Sequence, residues 1–507
     1  MEYVTPEIPL DSSRLPQKNI KLAILVEDSI AARLDDSMML ADNPPKIRKM
    51  YLAAVSALLM AVVMGITTGY SAPATYDMTT RNSSSIKPSK NSVTWIGSVL
   101  ALGAMCGGLF AGPVADRLGR KTILMLNTLP FMCGWLLICF TKHIAFVIVG
   151  RIICGVACGV VSVVVPMYCV EISTSEVRGL LGSSFQGFLV IGTLLCAIIG
   201  SYVTWEYLAL TGATMTTFAL ICFCPMPESP RWLISQNDVA GAIKVMNYLQ
   251  GNNFNAKEEC EQIHDDIKSQ PKGLLTLNEC KHPSIYKPAL ICAALMFFQQ
   301  FSGANAVLFY SSAIFGGSKS FLDPKKSTIV LAAVQVVATL LSNAVVDKAG
   351  RKLLLILSGA LMSISLIALG IYYYISSANI AFQTNFSWIP LSSLVLFLIA
   401  FSIGYGSIPW LLAAELVPLR ARSTIGGLAT FANGLFAFTI TKTFSELEEF
   451  AYNYGTFWIY SAISLVSCVF VFIMLPETKG KELKEISDYF SQEPKRYHEM
   501  SISVISK

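Results

Sequence analysis

The chain has 507 residues, of which 53% are hydrophobic and 14% are charged, with a formal net charge of +5. A soluble domain has about 25% charged residues, and one soluble core could not bury this much apolar surface. The composition therefore excludes an ordinary soluble domain and predicts a protein that crosses a membrane many times. The small positive charge is attributed to cytoplasmic basic residues rather than to nucleic-acid binding.

Twelve apolar segments are long enough to cross a bilayer, which takes about 20 mostly apolar residues. In chain order they are 51–71, 93–112, 122–140, 145–168, 181–203, 207–225, 288–311, 328–346, 353–375, 391–417, 423–443 and 455–475. An even number of spans predicts that both termini lie on the same side. The first fifty residues lack the pattern of a signal peptide, so the first span is expected to act as a signal anchor.

The orientation is set by the two ends, because basic residues are divided almost equally between the two sets of short loops. The basic stretches "KIRK" at 46–49 and "KGKELK" at 479–484 flank the first and last spans and favour cytoplasmic termini. Both N-x-[ST] acceptors, Asn82 and Asn385, then fall in external loops. We predict that these two asparagines are glycosylated.

Three motifs occur twice, in the same order. "DRLGRK" at 116–121 recurs as "DKAGRK" at 347–352, "EISTSEVRG" recurs as "ELVPLRARS", and "PESPR" is echoed by "PETKG". Matching order and topological position indicate two duplicated halves. The predicted organisation is a cytoplasmic tail at 1–50, a six-helix bundle at 51–225, a cytoplasmic helical linker at 226–287, a second six-helix bundle at 288–475 and a cytoplasmic tail at 476–507.

Seven motifs together resemble those of the sugar porters of the major facilitator superfamily, over nearly the whole chain. They are Asp116-Arg117-x-Gly119-Arg120-Lys121, Gly150-Arg151, Pro166-x-Tyr168-x-x-Glu171, Pro227-Glu228-Ser229-Pro230-Arg231, Gln299-Gln300-x-Ser302-Gly303-x-Asn305, Pro409-Trp410 and Pro476-Glu477-Thr478. Within this family the chain is most similar to the insect-type facilitated trehalose transporters. The resemblance implies an all-α membrane protein with twelve transmembrane helices in two pseudo-repeated six-helix bundles, a short cytoplasmic helical linker and a central site with alternating access.

The segment "FFQQFSGAN" at 297–305 places three carboxamides in an apolar span: Gln299, Gln300 and Asn305. An amide both donates and accepts hydrogen bonds without carrying charge, as a sugar hydroxyl does. In a straight helix Asn305 would lie about 240° from Gln299, so a bend at 302–303 is expected to turn it back. The amides could alternatively join helices to each other. The resemblance favours sugar contacts, because the sugar contacts of the family fall on these positions.

The resemblance assigns sugar contacts to further positions. Gln186 matches a glutamine of the fifth span, and Trp410 matches a tryptophan of the tenth span whose indole can stack on a sugar ring. For Trp410 the alternative is an anchor at the membrane interface. Second-rank candidates are Tyr310, Gln335, Phe401 and Asn433. Ser402 and Ala437 stand where hexose carriers have a glutamate and an asparagine, which leaves room for a disaccharide.

Proton coupling requires a titratable group that faces the cavity. In the proton-coupled members of the family this group is an aspartate of the first span, and Thr67 occupies the matching position here. No Asp, Glu or His occurs between Tyr51 and Ala74. Because ionisable groups inside a membrane are costly and usually functional, their absence favours uniport.

By resemblance, charged residues at helix ends form two clusters that tie the halves together across the cytoplasmic face. The first contains Arg120, Glu171 and Arg422, and the second contains Arg351, Glu415 and Arg178. The planar guanidinium suits this role because it can hold two acceptors at once. These ties are expected to break when the inner gate opens, and Arg151 is expected to brace them. The alternative is that these charges only orient the loops.

The sequence thus predicts a facilitative sugar transporter, with trehalose preferred, in the plasma membrane. The alternatives are a glucose or hexose uniporter, a proton-coupled symporter and a non-transporting sugar sensor. No nucleophile–base set, phosphate loop or metal-ligand spacing is found, so we expect no enzyme activity, no metal and no cofactor. The expected partners are a small sugar and membrane lipid but no nucleic acid, and a monomer is expected to suffice for transport.

Overall fold

The computed structural model describes residues 48–82, 84–174, 177–251, 256–269, 279, 281–309, 323–417, 421–479 and 489–490. Within these ranges the regular structure is entirely helical. Tyr310 and nearly all of both predicted tails lie outside the described residues. The side chains of Asp347 and Arg422 also lie outside them.

Eighteen helices of the described part of the chain are numbered in chain order, and a further short helical stretch runs from 304 to 309. The numbered helices are α1 Arg48–Gly69, α2 Ser71–Thr80, α3 Lys90–Leu118, α4 Arg120–Leu126, α5 Thr128–Phe140, α6 Ile144–Ile172, α7 Arg178–Tyr202, α8 Trp205–Phe223, α9 Pro230–Ser235, α10 Val239–Gln250, α11 Ala256–Ser269, α12 Pro283–Phe301, α13 Pro324–Ala349, α14 Arg351–Ala378, α15 Ile380–Asn385, α16 Ile389–Ile403, α17 Ile408–Glu415 and α18 Arg422–Met474.

Eleven helical stretches of the described residues are long and apolar enough to cross a membrane. The last of them, Thr424–Met474, has 51 residues and would measure roughly 75 Å, more than twice the thickness of a bilayer core. Its backbone is broken at Tyr452, where φ is 58° and ψ is 169°. This stretch therefore contains two spans, which gives the twelve crossings predicted from the sequence.

Two large apolar cores hold the helices together. One is built from residues between Met50 and Leu249, and the other from residues between Ile291 and Phe490. Inside a bilayer, helices associate through close packing at small residues rather than through the hydrophobic effect. A Cβ added to Gly103 of α3 would lie 2.9 Å from the Cα of Gly155 in α6, so the two backbones nearly touch.

Two seams join the cores, one between α3 and α18 and the other between α7 and α13. At the end of the molecule that carries Asn82 and Asn385, called the sequon end, Lys442 Nζ donates to Asn91 Oδ1 at 2.7 Å. Towards the opposite end, Asn343 Nδ2 donates to the backbone oxygen of Ser183 at 3.2 Å. Each seam is therefore closed by at least one polar bond between the cores.

Helices α9, α10 and α11 form a third, small core. Trp232 Nε1 of α9 donates to the backbone oxygen of Asp116 at 2.9 Å. The ammonium of Lys49 lies 4.3 Å from the centre of the Tyr248 ring in α10. This helical linker thus packs against the first half, and the end where it lies is called the linker end.

Candidate functional site

The amide-bearing helix bends where the sequence predicts. Helix α12 ends at Phe301, and Gly303 has a φ of +87°, which a residue with a Cβ rarely adopts. The chain is helical again from residue 304, and Asn305 Nδ2 now donates to Gln300 Oε1. The predicted bend is therefore confirmed, and it joins two of the three carboxamides.

The third carboxamide contacts the turn between α16 and α17 and also helix α18. Gln299 is only 4% exposed, and its Nε2 donates to the backbone oxygen of Tyr405 at 2.6 Å. Its Oε1 accepts a hydrogen bond of 2.6 Å from Asn433 Nδ2 of α18. Gln299 and Asn433, both candidates from the sequence, are thus brought together by the fold.

The tenth span is interrupted beside these amides. Helix α16 ends at Ile403, and α17 begins at Ile408, with four turn residues between them. Phe401 lies buried in the last turn of α16, and Trp410 lies half-buried in the first turn of α17. The hydroxyl of Ser402 is buried and has no hydrogen-bond partner among the described residues.

Two further candidates lie along the α7–α13 seam. Gln335 of α13 is 5% exposed, and its Oε1 is buried without a partner in the described part of the protein. Gln186 of α7 is half-buried and precedes Gly187, whose added Cβ would touch Leu340 of α13 at 3.4 Å. A buried polar atom without a partner costs about 1–3 kcal/mol, which a bound polar solute or water would relieve.

Arg151 does not brace the charge clusters, so that expectation was wrong. It lies on the same helix as Glu171 but twenty residues earlier, which separates the two by about 30 Å. Its guanidinium is buried and donates to Thr67 O at 2.5 Å, to Ser71 Oγ at 2.6 Å and to Ile96 O at 3.2 Å. Arg151 therefore ties α6 to α1, α2 and α3 near the sequon end.

The first charge cluster is compact and lies within one half. Arg120 Nε and Nη2 bond to the two carboxylate oxygens of Glu171 at 2.9 and 3.0 Å, a bidentate pair. The Ser229 hydroxyl donates to the same carboxylate. Arg120 Nη2 is also 3.1 Å from an oxygen of Asp116.

The second cluster repeats this arrangement in the other half. Arg351 Nη2 donates to Glu415 Oε1 at 3.0 Å, and the Thr478 hydroxyl donates to Glu415 Oε2 at 2.7 Å. Thr478 thus plays the part that Ser229 plays in the first cluster. Sequence reasoning found both motifs as repeats but missed these hydroxyl contacts.

The arginines expected to link the two halves are placed differently. The side chain of Arg422 lies outside the described residues. Arg178 is exposed, and the bonds that the structure gives Glu415 come from Arg351 and Thr478. Burial raises the pKa of Glu259 in α11, and the nearby Arg178 guanidinium opposes that shift. Arg178 thus lies near the linker.

Sequence reasoning also missed two carboxylates that cap helix starts at the linker end. Glu228 accepts from the backbone N of Lys121 at 2.9 Å, at the start of α4. Glu477 accepts from Arg351 N at 3.0 Å and Lys352 N at 3.1 Å, at the start of α14. Burial raises the pKa of Glu477, but four backbone N–H donors outweigh it, and its pKa lies below the ordinary value.

A family model described as "Sugar (and other) transporter" matches residues 50–490. The chain belongs to this sugar transporter family. The facilitated trehalose transporter Tret1 of Apis mellifera ligustica is 37% identical over 454 residues, covering 89% of each chain. The mouse solute carrier family 2 facilitated glucose transporter member 8 is 35% identical, covering 88% of this chain and 95% of its own.

Solved structures show the fold of this sugar transporter family member. The inward-open xylose transporter XylE from E. coli superposes with a TM-score of 0.72, at 23% identity, over 87% of this chain and 99% of that one. The same transporter is described elsewhere as a major facilitator superfamily protein. The chain therefore has the major facilitator fold and crosses the membrane many times, and its relatives are transporters rather than enzymes.

Proposed function

We propose that this chain is a facilitative transporter that carries trehalose down its gradient by alternating access. The observation that carries the proposal is the group of uncharged hydrogen-bonding side chains around the bend of α12. Gln300 is 6% exposed, and the structure gives its side chain one bond, to Asn305, which leaves its Nε2 donors for a solute. Relatives named as trehalose transporters favour a disaccharide over a hexose.

The proposed sugar-contacting side chains come from both halves. They are Gln186, Gln299, Gln300, Asn305, Tyr310, Gln335, Phe401, Trp410 and Asn433. The amides would exchange hydrogen bonds with sugar hydroxyls, and the Trp410 indole would stack on an apolar ring face. The unpartnered oxygen of Gln335 and the unpartnered hydroxyl of Ser402 support a polar ligand in this part of the molecule.

Uniport is supported by the surroundings of Arg151. Its bonds go to two backbone oxygens and one hydroxyl, and the described residues place no carboxylate on it. Thr67 offers only its carbonyl to this arginine, and its own hydroxyl donates to Val63 O at 2.7 Å. A proton carrier is therefore missing where the proton-coupled members of the family have one.

Alternating access would move the 51–225 bundle against the 288–475 bundle. In this proposal both termini and the linker are cytoplasmic, the sequon end is external, and a monomer in the plasma membrane suffices. Asn82 and Asn385 are both exposed, as glycan acceptors must be. Arg178 and Arg422 would join the Glu415 and Glu171 clusters only when the cytoplasmic side closes.

The test is uptake of labelled trehalose and labelled glucose in oocytes, with and without a proton ionophore. We expect saturable trehalose uptake that the ionophore leaves unchanged. The double variant Gln300→Leu with Asn305→Leu should lose at least about tenfold in flux per surface molecule, because several hydrogen bonds to sugar are lost. Gln236→Leu, an exposed linker amide, is the matched control and should transport normally.

Each of the other possible results would support a different function. Flux of glucose alone would favour a hexose uniporter, as the mouse relative suggests. Inhibition by the ionophore would identify a symporter. Sugar binding without any flux would indicate a sensor. Intact flux in the double variant would refute the proposed site.

A further inference from the structure

A lysine of the second half contacts the first half at the sequon end of the α3–α18 seam. Lys442 lies near the end of a predicted span, where a lysine side chain normally extends into the aqueous interface. Here it is half-buried, and its ammonium donates to Asn91 Oδ1 at 2.7 Å and to Thr94 Oγ1 at 3.0 Å. The ammonium also lies 4.9 Å from the centre of the Trp95 ring, within the range of a cation–π contact. One side chain thus makes three contacts across the seam.

The three partners lie on one face of α3, directly above a closed interface. They follow one another at the i, i+3 and i+4 spacing, which places side chains on the same side of a helix. Ser98 continues this face one turn further into the membrane, and it is fully buried. Beside it, a Cβ added to Gly97 would touch Thr441 of α18 at 3.4 Å. The seam is therefore closed immediately below the lysine contacts.

Two other lysines reach across the halves at the sequon end, and each makes a weaker contact. Lys325 Nζ of α13 donates to the backbone oxygen of Ser201 at 3.3 Å. Lys90 Nζ of α3 is 3.4 Å from Glu449 Oε1 of α18, and these two side chains are 91% and 69% exposed. Exposed pairs of this kind contribute little, because water and salt screen the charges. Of these three lysines, Lys442 therefore has the strongest contacts.

The acceptors of Lys442 are neutral, which suits a contact that must break and form again. When such a contact opens into water, the ammonium, the amide and the hydroxyl are all hydrated, and no charge is left buried. The Arg120–Glu171 pair is different, because it is bidentate and nearly buried, and separating it would leave two charges without compensation. The first kind of contact can join two surfaces that separate, whereas the second kind is found within one half.

We infer that Lys442 is a positioning residue of the transport cycle, whose contacts with Asn91, Thr94 and Trp95 hold the external entrance closed in this conformation. These four residues are called the external latch. The inference rests on the proposed function, in which the two bundles alternate and the sequon end is external. Weakening the latch should shift the protein towards the state that is open to the outside, because a contact made in only one state favours that state.

The experiment follows both sides of the membrane in sealed vesicles of either orientation, without sugar. A Ser98→Cys reporter is labelled from outside with a membrane-impermeant maleimide, a Gln186→Cys reporter is labelled from the cytoplasmic side, and labelling of the native cysteines is subtracted. Lys442→Met removes the ammonium but keeps most of the side-chain length. We expect it to raise external labelling at least about fivefold and to lower cytoplasmic labelling. A merely destabilised protein would label faster at both positions.

Three further variants separate the latch from a general effect of charge. Lys442→Arg should label like the parent, because a guanidinium can donate to the same acceptors and stack on the same ring. Lys90→Met, the same loss of charge at an exposed lysine, is the control and should stay within about twofold of the parent. Asn91→Leu should raise external labelling about threefold by itself and add nothing to Lys442→Met, because the two side chains share one bond.

Equal external labelling in Lys442→Met and Lys90→Met, or a rise at both reporters, would overturn the inference. If Lys442→Met does not reach the membrane, Asn91→Leu tests the same bond from an exposed residue of the first half, and unchanged labelling there would refute the latch. Because labelling needs no sugar, these results do not depend on trehalose being the substrate. Absence of trehalose uptake in the parent would refute the proposed function and leave the labelling result intact.

Discussion

Several buried polar side chains inside this membrane protein bond to backbone carbonyls of distant segments. Arg151 donates to Ile96 O, Gln299 to Tyr405 O and Ser358 to Ala400 O. A backbone carbonyl is a strong acceptor whose position is fixed by its helix, so such a bond specifies how two helices pack. Polar side chains here therefore help to fix how the helices pack.

Gly303 is the residue whose substitution should disturb this arrangement most directly. Its φ is +87°, and an added Cβ would lie 2.5 Å from Cδ2 of the Tyr460 ring. We expect Gly303→Ala to destabilise the protein by more than about 1 kcal/mol, seen as a lower melting temperature in detergent. The control is Gly112→Ala, because a Cβ there would meet nothing within 4 Å. Equal melting temperatures would contradict the strain at position 303.

The sequence predicts the bend at 302–303 but not the backbone partner of Gln299, and the reason is distance along the chain. A bend at Gly303 follows from local backbone chemistry. The partner of Gln299 lies 106 residues away, in an interruption that only the packing of α12 against α17 and α18 brings near. The same holds for Arg151, whose three partners lie between 55 and 84 residues earlier in the chain.

At the scale of helices, α4 and α14 begin in an unusual way. A helix start is normally capped by a nearby Ser, Thr, Asp or Asn, but here the preceding residues are Gly119 and Gly350, with φ of 93° and 90°. The acceptors are the carboxylates of Glu228 and Glu477, more than 100 residues further along. Their negative charge also suits the positive end of the helix dipole.

Glu477→Ala should therefore weaken the linker end of the second half. The carboxylate accepts four backbone N–H groups, which would lose a charged acceptor, so we expect a drop of several degrees in melting temperature. Because its folded pKa is lowered, this stabilisation is present above the ordinary carboxyl pKa and is lost only as pH falls through the folded value. The difference between Glu477→Ala and the parent should thus be constant near neutral pH.

The matched control is Glu446→Ala, an exposed carboxylate in the middle of α18. It should leave the melting temperature unchanged. A Glu477→Ala protein as stable as this control would show that the cap contributes nothing.

The repeated P-E-[S/T] motif is visible in the sequence, but its capping role could not be derived from it, because the pairing depends on where two distant loops meet.

The whole molecule is tied unevenly at its two ends. At the sequon end Lys442 bonds to Asn91 and also to Thr94 at 3.0 Å, and Lys325 Nζ donates to Ser201 O at 3.3 Å. Towards the linker end one bond between the halves, from Asn343 to Ser183 O, is found, and both charge clusters pair within their own halves. The duplicated halves and twelve spans follow from the sequence, since hydropathy and repeats are local signals. Which end is tied depends on how distant helices meet, and local sequence patterns do not show this.

Because the two ends differ in this way, substituting Arg178 tests the proposed cytoplasmic gate more directly than substituting Glu171 or Glu415. Removing Glu171 would also leave the buried Arg120 without its bidentate partner, and the resulting instability would obscure any effect on the gate. Arg178 is exposed and lies outside the Arg351–Glu415 pair, so its loss should affect chiefly a state in which it reaches Glu415. Its neighbour in the present conformation is Glu259 of the linker.

We therefore predict opposite effects for two neutral substitutions. Arg178→Gln should favour the inward-open state, because in the proposed transport cycle only the closed cytoplasmic gate would use the tie to Glu415. Glu259→Gln should favour the closed gate, because it removes the electrostatic attraction between Glu259 and the nearby Arg178. Exposed charge pairs contribute about 0.2–1 kcal/mol, so each shift in the state ratio should be roughly 1.5- to 5-fold. Lys281→Gln, an exposed linker cation, is the control.

The ratio can be followed by cytoplasmic maleimide labelling of a Gln186→Cys reporter, with labelling of the native cysteines subtracted. Faster labelling in Arg178→Gln and slower labelling in Glu259→Gln would mean that one arginine exchanges partners between the linker and the opposite half. Shifts in the same direction would mean that the two charges act only on stability. Rates equal to those of Lys281→Gln would mean that neither charge belongs to the gate, since an attraction present in only one state must alter the balance when it is removed.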